Sequence, residues 1–166
     1  LLALPGDFFH AWRKDWRGFG PIALTILEES HGPVRVLVVS DPRGEGMFCA
    51  EIAMHDRTRR ITVERGSRAL AESAGPAPDA KPEERFADDR DALAHLVSAH
   101  LDYIVLDGAV PYGTHAGYHD QARRIIEDNV RNFWPTHDSA ILRDGEPQGR
   151  PLRIFRVMQP DRIELP

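Results

Sequence analysis

The sequence predicts an α/β fold: a three-layer Rossmann-like sandwich with a mainly parallel sheet and an antiparallel C-terminal edge. Two apolar runs, Val34–Ser40 and Leu101–Asp107, lack the polar alternation of half-exposed strands, so each predicts a strand buried on both faces. Helical patterns alternate with the predicted strands, as in a parallel sheet covered by helices on both sides. We therefore expect these two strands to be adjacent, parallel and central.

Composition limits the classes of function. The chain of 166 residues is long enough for one domain with a substantial core. Its net charge of −5, without a basic block, argues against nucleic-acid binding. Cys49 is the only cysteine, which excludes an intramolecular disulfide and a cysteine-rich zinc site. No apolar run reaches the length of about 18 residues expected of a membrane span.

The N-terminal residues 1–30 are predicted to be a helical segment, and residues 31–166 a single α/β domain. The first residues contain neither an initiating methionine nor a signal-peptide pattern, so we interpret the chain as a soluble domain excised from a longer protein. In Asp7–Phe19 aromatic residues recur at helical spacing beside basic ones, which suits a membrane-proximal helix or a helix packed on its own domain. Gly18–Pro21 is expected to end this helix, with Pro21 in the first turn of a second helix that stops before His31.

The stretch Val34–Asp56 predicts a strand, a glycine-bearing turn and a helix. Asp41 and Pro42 are expected to end the strand, since proline lacks the N–H that a sheet requires. Gly44 and Gly46 then allow a tight turn. In the helix, Glu45 should lie in the first turn, and the expected apolar stripe consists of Phe48, Ile52 and Cys49.

Further elements follow in alternation. The predicted strands are Ile61–Gly66, Leu101–Asp107, Trp134–Leu142 and Leu152–Met158, with a short edge strand in the C-terminal RIELP. The predicted helices are Ser67–Ser73, Asp88–His100 with inward Leu93, Leu96 and Val97, and Tyr118–Asn132 with inward Ala122, Ile125, Ile126 and Val130. Either Asp88 or Asp89 is expected to cap the second of these helices. Arg143–Pro147 predicts a hairpin link, and Ala74–Glu84, with three prolines and no bulky apolar residue, predicts a mobile loop.

Candidate ligand-binding residues follow the first and third predicted strands, because ligands of open α/β sheets bind beyond the carboxyl ends of strands. They are Asp41, Arg43, Gly44, Glu45, Gly46, Asp107, His115 and His119. Backbone N–H groups at a helix start attract anions, and carboxylates accept hydrogen bonds from hydroxyl groups. This mixture predicts weak binding of a glycan or of a polyprenyl-phosphate-sugar head group. The alternative is that the glycines only form the turn, because no nucleotide-binding pattern is complete and no cofactor is indicated.

No catalytic residue and no metal site is predicted. His115 and His119 are four residues apart and could join Asp107 or Asp120 around a metal, but a histidine pair falls short of the usual ligand count, and Gly117 lies between them. Ser40 follows a strand but lacks the G-x-S-x-G pattern of a nucleophile elbow.

Three segments resemble the C-terminal extracytoplasmic region of some bacterial family-39-type glycosyltransferases. The segments are VLVVSDPRGEGMFCAEIAMHD, VERGSRALA and FADDRDALAHLVSAHLDYIVLD. The matching residues span roughly the middle half of the chain: Ser40, Asp41, Gly44, Glu45, Gly46, Arg65, Ser67, Arg68, Leu70, Ala71, Asp102, Tyr103, Leu106, Asp107 and His119. The chain departs from that family at Ala74–Glu84, where an aromatic-rich link is expected, so the resemblance implies no binding role for this loop.

The resemblance implies an accessory domain of a membrane enzyme. Such enzymes are related to protein O-mannosyltransferases and to the lipid A aminoarabinose transferase, and they move a sugar from a polyprenyl-phosphate donor. Their catalytic acids lie in a loop of the membrane part, so this chain is expected to be extracytoplasmic, inactive alone and partnered by the membrane-embedded part of the same polypeptide. The alternatives are a free-standing α/β enzyme or nucleotide-binding protein that uses the Gly44–Gly46 turn, or a ligand-free interaction domain.

Overall fold

The computed structural model describes residues 16–72, 82–108, 110, 113–143 and 150–158. Its helices are α1 (Phe19–Glu29), α2 (Pro42–His55), α3 (Gly66–Ala69), α4 (Asp89–Ser98) and α5 (Gly117–Asp128). Its strands are β1 (Trp16–Arg17), β2 (Val34–Val39), β3 (Ile61–Arg65), β4 (Ala71–Glu72), β5 (Glu83–Glu84), β6 (Tyr103–Asp107), β7 (Phe133–Arg143) and β8 (Arg150–Val157).

A mixed six-stranded sheet organises the fold, in the order β1-β7-β8-β6-β2-β3, beside a separate β4–β5 pair. Strand β2 pairs in parallel with both β3 and β6. The C-terminal strands are antiparallel, with β8 between β6 and β7. The α/β class is confirmed, and so is the prediction that Val34–Ser40 and Leu101–Asp107 supply adjacent, central, parallel strands.

Side chains of β2 and β6 alternate between the two faces of the sheet, and helices cover both. On one face α1 and α2 pack against Val36, Val38, Tyr103 and Val105. On the other face α4 and α5 pack against Leu37, Val39, Ile104 and Leu106. Each fully buried aliphatic side chain contributes about 1.5–3 kcal/mol relative to exposure, so the two strands anchor both cores.

The N-terminal part of the described chain differs from the prediction. Trp16–Arg17 pairs with β7 as a strand, so the predicted helix Asp7–Phe19 is wrong there, and residues 1–15 lie outside the described part. Gly18 adopts φ +134°, and a Cβ at this position would lie 2.4 Å from the Ala140 carbonyl oxygen, so this turn requires glycine. Helix α1 begins at Phe19, with Pro21 in its first turn as predicted. The helix packs against the sheet as part of the core. The predicted division of the chain into a segment 1–30 and a domain 31–166 stays a prediction.

Helix α2 begins earlier than the sequence predicts, and the expected glycine turn is absent. The Asp41 carboxylate accepts hydrogen bonds from the N–H groups of Arg43 (2.8 Å) and Gly44 (3.0 Å), and Pro42 occupies the first helical position. An aspartate cap followed by proline starts a helix on its own, so both glycines lie within α2. Gly44 instead permits close packing, because a Cβ there would lie 2.2 Å from the Ser40 hydroxyl oxygen.

Other predictions are corrected in detail. Residues 74–81 of the predicted mobile loop Ala74–Glu84 lie outside the described part, and Glu83–Glu84 at its end forms strand β5 instead. Asp88 caps α4 as predicted, but Val97 is exposed and Ala92 joins Leu96 in the core. Val130 is exposed because α5 ends at Asp128. Of the predicted hairpin link Arg143–Pro147, Arg143 ends β7, whereas residues 144–147 and the RIELP strand lie outside the described residues.

Alanine substitutions at the two glycines of α2 should have opposite effects. Gly44→Ala should destabilise the protein by about 1–3 kcal/mol, because the new methyl group overlaps the Ser40 side chain. Gly46→Ala meets no atom within 4 Å and should stabilise it by about 0.5–1 kcal/mol through helix propensity. Urea unfolding of both variants and the wild type measures the difference, and equal effects would contradict the assigned packing.

Candidate functional site

The carboxyl ends of β2, β3 and β6 gather most of the predicted site residues into a buried polar network. Its buried polar members are Ser40, Asp41, Glu45, Asp107 and His119. The parallel pairing of β2 with β3 and with β6 brings the ends of these strands to one edge, and α2 and α5 cover them. Buried polar groups need hydrogen-bond partners, and the protein itself supplies them here.

The first part of the network joins β2, β6 and α5. The Ser40 hydroxyl donates to the Asp107 carboxylate (2.7 Å), and the Ser40 carbonyl lies 2.9 Å from His119 Nε2. His119 Nδ1 lies 3.0 Å from the Ala116 nitrogen and 3.1 Å from the Ala116 carbonyl oxygen. Because the Ser40 carbonyl can only accept, Nε2 carries a hydrogen. Burial is the main cause that lowers the pKa of His119, in accord with a neutral ring.

The Tyr118 ring stacks beside His119, with ring centroids 3.9 Å apart, and its hydroxyl group also donates to the Ser40 carbonyl (3.3 Å). Burial, followed by the negative charges of Glu45 and Asp41, raises the pKa of the Tyr118 phenol, so it remains a donor. Two neighbouring residues of α5, Tyr118 and His119, thus both bind the Ser40 carbonyl at the end of β2.

The second part of the network joins α2 to the end of β3. The Glu45 carboxylate accepts hydrogen bonds from Arg65 Nε (3.0 Å), the Ser67 N–H (2.8 Å) and the Ser67 hydroxyl (2.5 Å). Burial raises the pKa of Glu45, and the hydrogen bonds from Ser67 and Arg65 oppose this shift. Glu45 lies in the first turn of α2 as predicted, but it faces the protein interior.

The predicted site residues therefore fall into two groups. Asp41, Gly44, Glu45, Asp107 and His119 are buried, whereas Arg43 is exposed, and Gly46 and His115 are half-buried. The N–H groups at the start of α2 were expected to bind an anion. Instead the Gly44 N–H donates to the Asp41 carboxylate, and the Glu45 N–H donates to the Asp41 carbonyl. A ligand at this edge would therefore contact mainly Arg43, Gly46 and His115.

The network does not form a nucleophilic triad despite its serine, histidine and aspartate. The Ser40 hydroxyl donates to Asp107, and His119 contacts the backbone carbonyl of Ser40 instead of its hydroxyl oxygen. A serine nucleophile needs a base on its hydroxyl group. The arrangement holds strand ends and helices together and presents no activated nucleophile.

The histidine pair does not assemble a metal centre. His115 precedes α5 and lies 3.2 Å from the Asp120 carboxylate, while both nitrogens of His119 contact backbone groups. The two rings are 5.4 Å apart. In the part of the chain that the structure describes, no set of three or more His, Cys, Asp or Glu side chains is placed to hold a metal ion.

A cleft of about 770 Å³ lies at the opposite edge, beside the amino ends of β2 and β6. Its lining includes Glu29, Asp102, Tyr103, Trp134 and Arg156. The sequence analysis missed this cleft, because these residues are far apart in the chain and only the strand pairing brings them together. The available signal was Trp134 and Arg156, a tryptophan and an arginine within predicted strands.

Comparisons with known proteins add no assignment. No protein-family profile, curated protein or solved structure matches the chain. Among the described residues, no helix has both the length and the apolar character needed to cross a membrane.

His119 should make the protein less stable in mild acid. Its folded-state pKa lies below the ordinary value of 6.5, so below pH 6.5 the unfolded state takes up a proton that the folded state refuses. Stability should fall there by up to about 1.4 kcal/mol per pH unit from this group, and His119→Gln should remove that slope. Urea unfolding between about pH 5 and pH 8, the range in which histidine titrates, measures both curves.

The comparison has an internal control. Above about pH 7 the histidine is neutral in both states, so the wild-type and His119→Gln curves should run parallel. Parallel curves below pH 6.5 as well would contradict a neutral, buried His119. Direct ¹⁵N NMR of the imidazole should show a proton on Nε2 alone.

Proposed function

We propose that the chain is an accessory domain of a polyprenyl-phosphate-sugar-dependent membrane glycosyltransferase, placed on the extracytoplasmic face and not catalytic by itself. The observation that carries this proposal is the burial of Glu45, Asp107 and His119 within hydrogen bonds of the protein. General acid–base catalysis requires a titratable group within hydrogen-bond reach of the substrate. Groups that are buried and paired in this way serve the fold, which agrees with catalysis elsewhere in a larger enzyme.

The residues of the resemblance support the same proposal. Ser40, Glu45, Arg65, Ser67, Asp107 and His119 all match, and all take part in the buried network. The network links the ends of β2, β3 and β6 to α2 and α5. A likeness that includes these residues extends to the contacts that hold the fold together, so we extend the proposal to a Rossmann-like three-layer sandwich shared with those accessory regions.

The proposed partner is the membrane-embedded part of the same polypeptide. A glycan or a polyprenyl-phosphate-sugar head group remains the proposed ligand class, and at the carboxyl edge Arg43, Gly46 and His115 are the candidate residues that remain at least partly exposed. The nucleotide-binding alternative loses its basis, because the Gly44–Gly46 turn on which it depended is part of α2. No specific observation favours a ligand-free interaction domain.

The reading frame that encodes this chain tests the proposal directly. An accessory domain of a polytopic enzyme should be joined to several apolar segments of about 20 residues, each long enough to span a bilayer. A frame that encodes only a soluble protein would overturn the proposal.

The isolated chain should transfer no sugar. Incubation with a synthetic polyprenyl-phosphate sugar and candidate acceptors should give product at the rate of a protein-free sample, because no exposed acid–base pair is present among the described network residues. Mass spectrometry of the acceptor measures the transfer, with circular dichroism confirming that the sample is folded. Turnover by the wild type that Asp107→Asn abolishes would place catalysis in this domain and contradict the proposal.

A further inference from the structure

The cleft at the amino ends of β2 and β6 exists because a helix stops short of the end of the sheet. Helix α1 covers one face of the sheet and ends at Glu29, after which the chain turns through Ser30–Pro33 into β2. Beyond this helix end Trp134 and Arg156 are exposed, whereas Tyr103 next to them is only 4% exposed and packs in the core. The resulting cleft of about 770 Å³ falls in the size range of small-molecule sites.

Strand pairing places three side chains side by side on the floor of the cleft. Trp134 of β7 is directly opposite Arg156 of β8, and Arg156 is directly opposite Tyr103 of β6. Directly opposed residues share a face of the sheet. Tyr103 belongs to the face packed by α1 and α2, so an indole, a guanidinium and a phenol line up on that face.

An irregularity in β7 adds a histidine to the same face. The register shifts between Pro135 and His137, so that Trp134 pairs with Arg156 while His137 pairs with Ile154, two residues earlier. A bulge of this kind redirects side chains, and here it aligns Trp134 and His137 on one face although they are three residues apart.

The carboxylate of Glu29 is held in a fixed orientation above this row. One oxygen accepts a hydrogen bond from His137 Nε2 (2.6 Å), and the other accepts one from the Tyr103 hydroxyl group (3.3 Å). Burial and the charge of Glu29 raise the pKa of Tyr103, so the phenol stays protonated and able to donate. A carboxylate has about four acceptor sites, so Glu29 retains capacity for a ligand.

We propose that this cleft binds a pyranose sugar, stacked on Trp134 and hydrogen-bonded through its hydroxyl groups to Glu29 and Arg156. Trp134 is 60% exposed and offers an apolar face beside polar groups. The C–H face of a pyranose matches such a ring, while its hydroxyl groups both donate to carboxylates and accept from a guanidinium.

Charge favours a neutral sugar over a free anion. Among the described residues that line the cleft, the two carboxylates of Glu29 and Asp102 outnumber the one guanidinium, that of Arg156. An inorganic phosphate would meet this repulsion, whereas an uncharged hydroxyl-rich ligand would not.

This inference does not rest on the proposed function. It is drawn from the residues of the cleft, and it would hold for a chain unconnected to any membrane enzyme. Conversely, an accessory domain without a sugar site would still satisfy the proposal of the previous section.

NMR titration of the ¹⁵N-labelled chain tests the cleft, with methyl α-mannopyranoside, methyl β-glucopyranoside and methyl β-galactopyranoside as probes. We expect one of them to shift the indole N–H resonance of Trp134 and the amides of Tyr103 and Arg156, with a Kd of about 1 mM. Glycerol controls for unspecific hydroxyl binding, and inorganic phosphate controls for simple anion binding to Arg156.

Variants separate stacking from general effects. Trp134→Ala should weaken binding of the responding pyranoside at least about tenfold, and Glu29→Gln should weaken it about fivefold, on the scale of one lost stacking or charged contact. Met54→Ala is the matched control, since Met54 is an exposed apolar residue (51%) on α2 outside the cleft lining, and it should leave the Kd unchanged.

Several results would overturn the proposal. No shift at about 20 mM of any pyranoside, well above the expected Kd, would exclude the site. Equal shifts with glycerol or phosphate would reduce it to unspecific contact. Shifts confined to Asp41–Met47 and Asp107–His119 would place sugar binding at the carboxyl edge instead.

Discussion

The burial of two adjacent parallel strands on both faces is the constraint on which the rest of the structure depends. Strands β2 and β6 carry apolar side chains in both directions, so each face of the sheet needs a cover of helices. Helices α1 and α2 supply one cover, and α4 and α5 the other. The polar groups at the ends of these strands then lie under helices and must find partners inside the protein.

This constraint explains why the polar groups at the carboxyl edge are mostly buried and hydrogen-bonded within the protein. Glu45 is fully buried, and a carboxylate in that position is tolerated only because Arg65 and Ser67 bind it. The same holds for Asp107, which accepts from the Ser40 hydroxyl group. The carboxyl edge is where ligands of open α/β sheets usually bind. Here its buried residues join helices to strands instead.

The amino edge has the opposite character, for a simple geometric reason. Helix α1 ends at Glu29 while the sheet continues, so no helix covers the paired residues Trp134 and Arg156. Glu29 does not fold back into the core, because His137 and Tyr103 hold its carboxylate at the rim. Polar groups at this edge are therefore fixed in place yet open to a ligand.

The sequence by itself determined the class of the fold and its central strands, because continuous apolar runs in Val34–Ser40 and Leu101–Asp107 have no stable place except between two layers. It also determined that an aspartate, Asp88 or Asp89, caps a helix and that Glu45 lies in a first turn, since these are local effects. The prediction that Gly44 forms a turn was wrong, because the role of this residue is set by its distance to Ser40 across a helix–strand contact. The burial of His119 and the meeting of Glu29, Trp134 and Arg156 were decided only by the tertiary structure, because strand order and register join residues that no local pattern relates.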